Sequence, residues 1–118
     1  MSFGILDASP TLGHVWRERW NSLRLFTPAQ YASLPGMALP ADRDTYPTKD
    51  QVADYLRDYA AHFQMPIRHN QHVTVLRRDD AGFALDTSTD HLLARQVVVA
   101  TGPFQTPVIP GLRRRRGR

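Results

Sequence analysis

The stretch VVVATGPFQTPVIPGL, residues 97–112, decides how the rest of the chain is interpreted. Three β-branched valines run into Ala100, Thr101 and Gly102, and prolines follow. A short apolar run that is rich in β-branched residues and ends at a glycine is typical of a strand buried inside a sheet. We therefore predict a strand over residues 92–100 that ends in a tight turn at Thr101-Gly102.

A second apolar run lies near the first residue. Residues 3–6 (FGIL) are followed by Asp7, and Ser9-Pro10 give a turn signal, so a buried strand that ends in an acid is predicted over residues 3–7. In a dinucleotide-binding βαβ unit, the acid at the end of the second strand hydrogen-bonds a ribose hydroxyl. An ordinary turn residue is the commoner explanation of this pattern when it stands alone.

Between these runs, residues 48–63 carry a helical pattern. Thr48 is a candidate N-cap, Asp50 places a carboxylate in the first turn, and Pro66 ends the helix. Apolar residues recur at helical spacing: Val52, Tyr55, Leu56, Tyr59, Ala60 and Phe63. Strands are predicted over residues 67–75 and 83–87, and the turn at residues 79–82 joins them as an antiparallel hairpin.

Residues 13–50 contain many prolines and aromatic residues without a regular period, apart from a possible helical turn at residues 16–20. A structured loop of this length usually serves a function or faces a partner. Residues 16–28 (WRERWNSLRLFTP) combine aromatic rings, guanidinium groups and amide donors, which suit a planar, phosphorylated ligand. The alternative is an amphipathic turn with solvated arginines, and composition alone favours that alternative.

Composition excludes several classes of protein. The absence of cysteine rules out disulfides and thiolate metal sites. Five of the 15 basic residues lie in residues 113–118, which leaves 10 basic against 11 acidic residues, a balance of −1, in residues 1–112. Since no apolar run approaches the roughly 20 residues that span a bilayer, we expect a cytoplasmic protein without a membrane association. His69 and His72, three apart in a predicted strand, point to opposite faces and predict no metal site.

Three stretches together resemble the flavin-containing monooxygenase-like group of FAD-dependent, NAD(P)H-using oxidoreductases. They are ILDASPTLGHVWRERWNSLRLFTP (5–28), YPTKDQVADYLRDYAAHF (46–63) and VVVATGPFQTPVIPG (97–111). The resemblance implies an α/β fold, an incomplete Rossmann-like FAD-binding domain over residues 1–112 with a parallel core sheet and a small antiparallel β insertion. Residues 113–118 are expected to form a disordered arginine-rich tail. Asp7 and Gly102 are expected to end neighbouring parallel strands.

The resemblance also implies which residues contact the cofactor. Asp7 matches the acid that contacts the adenosine ribose, and Val73 matches the position whose backbone holds the adenine. Thr101 and Gly102 match the turn beside the cofactor. The residues that match the segment reaching the flavin and its isoalloxazine ring are Gly13, Trp16, Arg17, Asn21, Ser22 and Leu23, with His14 where a second glycine is common. No catalytic residue is predicted.

Residues 3–111 match only part of a family member. In the family, a glycine-rich βαβ unit precedes that matching part, and an NADPH domain follows it. We therefore expect a chain that is truncated at both ends and that binds FAD poorly or not at all. Intact relatives would use FAD and NADPH to oxygenate a small-molecule substrate, a soft nucleophile or a carbonyl compound. Two alternatives are a small interaction or nucleic-acid-binding protein that acts through the arginine-rich tail, and a protein that completes its fold on a partner subunit.

Overall fold

The computed structural model describes residues 2–102 and residue 108. The predictions for the arginine-rich tail and for the prolines at 103, 107 and 110 lie outside the described residues. The elements, in chain order, are β1 (Ile5–Leu6), α1 (His14–Arg17), a 3₁₀ helix (Ala29–Tyr31), α2 (Lys49–His62), β2 (Ile67–Arg68), β3 (Val73–Asp79), β4 (Gly82–Thr87) and β5 (His91–Ala94). The predicted α/β class is confirmed, and the described residues form one parallel and one antiparallel sheet.

The parallel sheet consists of β1 and β2, in the register Ile5 to Ile67 and Leu6 to Arg68. The amide of Ile5 donates to the carbonyl of Pro66 (3.0 Å), and the amide of Asp7 donates to the carbonyl of Arg68 (3.0 Å). Parallel strands need a long crossover between them, and residues 7–66 provide it with α1, the long loop and α2. The strand predicted at residues 3–7 is confirmed in shorter form.

The antiparallel sheet has the order β3, β4, β5. Leu76 pairs with Leu85, and Leu85 pairs with Leu92, so three leucines share one face and Leu85 is buried between its neighbours. The prediction of a single strand over residues 67–75 was wrong. Asn70 adopts a left-handed backbone (φ 57°), which breaks the extended chain and separates β2 from β3.

Helix α2 begins directly after the predicted cap. The Thr48 hydroxyl accepts a hydrogen bond from the amide of Gln51 (3.2 Å), and the Gln51 side chain accepts one from the amide of Thr48 (2.9 Å). This reciprocal pair is a capping box, which satisfies two backbone donors that the first turn leaves unpaired. The predicted helix and its cap are confirmed, whereas the role of Gln51 was not predicted.

The core lies between α2 and the loop that precedes it. Ala29 and Leu39 are buried with Tyr55, whose hydroxyl donates to the carbonyl of Met37 (2.7 Å) and accepts from the amide of Leu34 (2.7 Å). These contacts give residues 28–47 a fixed conformation although they contain no long helix or strand. The predicted apolar face of α2 omits Ala53, which is fully buried.

The strand predicted at residues 92–100 extends only to Ala94, and residues 95–102 form no strand. Val98 is 89% exposed and Val99 is 69% exposed. The described neighbour of β1 is β2, so the prediction that Asp7 and Gly102 end neighbouring parallel strands was wrong. A strand persists through its ladder of hydrogen bonds, and the described residues provide none for the valines.

Within the described part of the chain, no helix has both the length and the apolar character required to cross a membrane.

Candidate functional site

Asp7 lies at the carboxyl end of β1, and its side chain is half-buried. One carboxylate oxygen, Oδ1, accepts a hydrogen bond from the amide of Ser9 (2.9 Å). The amide of Asn70 donates to the carbonyl of Ser9 (3.1 Å), and the amide of Gln71 donates to the carbonyl of Asp7 (2.9 Å). These bonds join the segments that follow the two parallel strands. Ligands of open α/β sheets bind at this edge, outside the carboxyl ends of the strands.

His69 faces Asp7 across this edge. Its Nδ1 lies 3.5 Å from Oδ2 of Asp7. This nitrogen is buried, and within the described residues it makes no hydrogen bond. Sequence reasoning missed the pair because it placed His69 inside one long strand. The signal that could have found it is the parallel register: when Leu6 is opposite Arg68, the next residues along both strands are Asp7 and His69.

Val73 begins β3, two residues after Gln71, and pairs with Thr87. The Gln71 side-chain oxygen accepts hydrogen bonds from the hydroxyls of Thr87 (3.0 Å) and Thr89 (3.2 Å). Through its amide and its side chain, Gln71 therefore ties the antiparallel sheet to the end of β1. Two residues predicted to bind the adenosine half of one ligand, Asp7 and Val73, are connected by this short bonded segment.

Gly13 is the residue that precedes α1, with a left-handed backbone (φ 80°). A Cβ atom at this position would lie 2.9 Å from Cβ of Ala53 and 3.0 Å from its carbonyl oxygen. Glycine is required here because α1 packs closely on α2. The resemblance predicts that Gly13 approaches the cofactor, and the structure gives the same residue a packing role that the sequence did not reveal.

Arg17 is held by α2. Its guanidinium lies 2.7 Å from the Asp54 carboxylate and 3.6 Å from Asp50, and Arg57 also pairs with Asp54 (2.8 Å). The hydrogen bond from Arg17, with the positive charges of Arg17 and Arg57, lowers the pKa of Asp54 below its usual value. The charge of Arg17 is thus balanced within the protein, and its predicted contact near the isoalloxazine ring stays a prediction.

A cavity of about 310 Å³ opens between Trp16 of α1 and the segment that follows this helix. Its lining is aromatic, aliphatic and cationic: Trp16, Arg19, Trp20, Leu23, Arg24, Leu25 and Phe26. It lies at the lower end of the usual volume range of small-molecule sites, about 300–1,000 Å³. Trp16 and Leu23, both predicted site residues, line it together, whereas Asn21 and Ser22 are exposed.

The remaining predicted residues, Thr101 and Gly102, are exposed and follow the valines, for which residues 2–102 provide no pairing strand. Gly102 has a left-handed backbone (φ 72°), and a Cβ atom there would meet nothing within 4 Å. The turn predicted after the valines therefore has the backbone conformation that favours glycine, although the strand before it is absent.

The sequence model of the pyridine nucleotide-disulphide oxidoreductase family matches residues 1–115. The chain belongs to this family. Its likeness to flavin-containing monooxygenases, inferred from the three stretches, is confirmed by relatives and by solved structures. The family implies a flavin cofactor.

Among curated relatives, an uncharacterized CzcO-like oxidoreductase of Geobacillus kaustophilus is 51% identical over 108 residues, 92% of this chain and 31% of the relative. The indole-3-pyruvate monooxygenase YUCCA6 of Arabidopsis thaliana is 34% identical over 113 residues, 90% of this chain and 27% of the relative. The chain thus spans between a quarter and a third of the length of these relatives.

Among solved structures, a flavin-containing monooxygenase from Stenotrophomonas maltophilia superposes with a TM-score of 0.69 at 32% identity, over 80% of this chain and 29% of that one. A bacillithiol disulfide reductase from Staphylococcus aureus superposes with a TM-score of 0.66 at 15% identity, which shows a shared fold.

The residues at the end of β1 fit the sugar of a flavin nucleotide in their donor and acceptor chemistry. A carboxylate only accepts hydrogen bonds, and each oxygen has two lone pairs. In Asp7, the described contact to the amide of Ser9 uses one of them, so the half-buried group can still accept from hydroxyl donors. The ribose of an adenosine nucleotide presents two adjacent hydroxyls, which match that capacity.

Proposed function

We propose that this chain provides the adenosine-binding edge and the flavin-facing loop of the FAD site in an NADPH-using monooxygenase. The single observation that carries the proposal is the position of the Asp7 carboxylate at the carboxyl end of a parallel strand pair, with acceptor capacity left over. Asp7 accepts hydrogen bonds from the ribose, and the backbone of Val73 contacts the adenine.

The cavity after α1 supports the second half of the proposal. Trp16 and Leu23 contribute apolar surface to it, and Trp20 and Phe26 add aromatic rings. Such a lining offers apolar and aromatic surface to a flat ring system. When bound, FAD would supply the redox chemistry: NADPH provides two electrons, one oxygen atom of O2 enters a small substrate, and the other oxygen atom leaves as water.

The substrate class is proposed from the relatives. One relative is named for indole-3-pyruvate, a carbonyl compound, which supports the carbonyl alternative over the soft nucleophile. A cytoplasmic location stays a prediction.

The proposal is tested by titrating the isotopically labelled full chain with ADP up to millimolar concentrations and following backbone amides by NMR. We expect shifts in the amides of residues 7–9 and 69–73, and weak affinity. Asp7→Asn keeps the size of the side chain but removes the charge, so it weakens ADP binding by about tenfold, the value of a hydrogen bond to a charged group.

Asp80→Asn, in the turn between β3 and β4, removes one carboxylate elsewhere and serves as the control for net charge. It leaves ADP affinity unchanged. Absence of shifts at the end of β1 at millimolar ADP, or wild-type affinity in Asp7→Asn, overturns the proposed function.

A further inference from the structure

The His69 imidazole is held against Asp7 by the backbone. His69 is the residue that directly follows β2, and the strand register places it opposite Asp7 at the end of β1. The left-handed conformation of Asn70 then turns the chain, and the amide of Asn70 is bonded to the carbonyl of Ser9 (3.1 Å). The backbone of His69 is therefore held on both sides, by a strand before it and by a bonded turn after it.

The two oxygens of Asp7 have different surroundings. Oδ1 accepts the amide of Ser9 at 2.9 Å, whereas Oδ2 faces Nδ1 of His69 at 3.5 Å. The buried Nδ1 has no other described hydrogen-bond partner, and a buried polar atom without a partner is costly. A small rotation of either side chain brings Nδ1 and Oδ2 within ordinary hydrogen-bond distance, which is about 3 Å.

We propose that His69 is a positioning residue: its Nδ1–H donates to Oδ2 of Asp7 and fixes the plane of the carboxylate toward the ribose hydroxyls of an adenosine nucleotide. The inference rests on the proposed function, because it assigns to His69 a role at the same edge. The amide of Ser9 and the imidazole of His69 hold one oxygen each, and both oxygens keep lone pairs for the sugar. A preorganised acceptor binds more tightly since less orientational freedom is lost on binding.

The test measures how much the ribose hydroxyls contribute to nucleotide affinity in each variant of the full chain. ADP, 2′-deoxy-ADP and 3′-deoxy-ADP are titrated by NMR, and the ratio of their dissociation constants gives a preference. We expect wild-type protein to favour ADP by about tenfold over the weaker deoxy analogue. His69→Leu, which removes the donor at similar size, reduces this preference to about threefold or less, since only an oriented acceptor has its full value.

His69→Asn provides the rescue. The amide nitrogen of asparagine reaches the position of Nδ1, so this variant keeps most of the preference for ADP. A merely structural role for His69 would weaken all three nucleotides equally and leave their ratios unchanged. His62→Leu, at an exposed histidine that ends α2, is the matched control and keeps the wild-type preference. Thermal unfolding checks that each variant is folded.

The outcomes separate this inference from the proposed function. If Asp7→Asn abolishes the preference while His69→Leu keeps it, His69 is not a positioning residue and the proposed function stands. If wild-type protein shows no preference for ADP, the proposed function is overturned and this inference with it. If His69→Leu does not fold, His69→Asn decides, because loss of the preference in that folded variant contradicts the proposal.

Discussion

Residues 28–48 and residues 95–102 differ in burial, and the difference runs against their sequence patterns: the segment without a regular period is partly buried, and the valine-rich segment is exposed. The first segment has no period and belongs to the structured loop predicted over residues 13–50, and it contributes Ala29, Leu39 and Pro47 to the buried residues. The second contains three consecutive valines and was predicted to be a central strand, yet Val98 and Val99 are exposed and unpaired within the described chain. Partners, rather than intrinsic propensity, decide which of the two segments is ordered into the core.

The partners of the loop are hydroxyl groups on α2. Tyr55 bonds to both Leu34 and Met37, and Tyr59 donates to the carbonyl of Pro35 (2.7 Å). Side chains of one helix thus satisfy backbone groups that a sheet would otherwise satisfy. The valines have high strand propensity, but propensity expresses how well a residue fits a pleated surface that must first exist.

The largest effect is expected when this anchor is removed. Tyr55→Ala deletes a ring that is 2% exposed, together with both hydrogen bonds to the loop, and should reduce the free energy of unfolding by about 3–5 kcal/mol. Urea denaturation followed by circular dichroism measures it. Tyr31→Ala, at a ring that is 73% exposed, is the control and should change stability by less than about 0.5 kcal/mol. Equal effects in the two variants would contradict the packing described for the loop.

A smaller loss is expected at the contact between α1 and α2. Gly13→Ala places a methyl group within 3.0 Å of the Ala53 carbonyl and requires a left-handed backbone, so about 1–3 kcal/mol of stability should be lost. Gly4→Ala is the matched control, because a Cβ atom there meets nothing within 4 Å. The same denaturation measurement compares them, and a neutral Gly13→Ala variant would show that the two helices do not pack closely in solution.

The ion pair between Arg17 of α1 and Asp54 of α2 is expected to have a smaller effect on stability, and that effect depends on pH. Since Arg17 lowers the pKa of Asp54 in the folded protein, the pair stabilises the fold above the ordinary pKa of aspartate. That contribution is lost as the pH falls through the lowered pKa. Asp54→Asn should therefore flatten the decrease in melting temperature between neutral and strongly acidic pH. Asp80→Asn controls for net charge, and an unchanged acid profile in Asp54→Asn would refute the assignment.

The smallest effect concerns the valines. Val98→Thr replaces a side chain that is 89% exposed with one of similar shape, so stability should change by less than about 0.5 kcal/mol. A loss above about 1 kcal/mol would show that residues 97–99 are buried in solution, because buried hydroxyl groups are costly. That result would show that the valine segment, like residues 28–48, is partly buried. Urea denaturation of the full chain is again the measurement.

Features that depend on neighbours in sequence were predictable, and features that depend on distant partners were not. Thr48 caps α2 through local chemistry and was identified correctly, whereas the helix ends at His62, before Pro66, where the left-handed backbone of Gln64 turns the chain away. The acid at the end of β1 was also found, because a short apolar run before it gives a local signal. The packing of Gly13 on Ala53 joins residues 40 positions apart, and no local pattern contains it. His69 was missed for a related reason: one left-handed residue, Asn70, altered where the strand ended.

Asn70 also restricts which sequences can occupy this edge. A left-handed backbone is tolerated by asparagine, aspartate and glycine, whereas β-branched residues adopt it rarely. The residue before it faces the carboxylate of Asp7, and the residue after it, Gln71, leads to Val73. A change of residue type at this single position would therefore disturb both ends of the adenosine edge at once. Backbone conformation, and not burial, therefore limits which residue types position 70 can hold without strain, since the side chain itself is exposed.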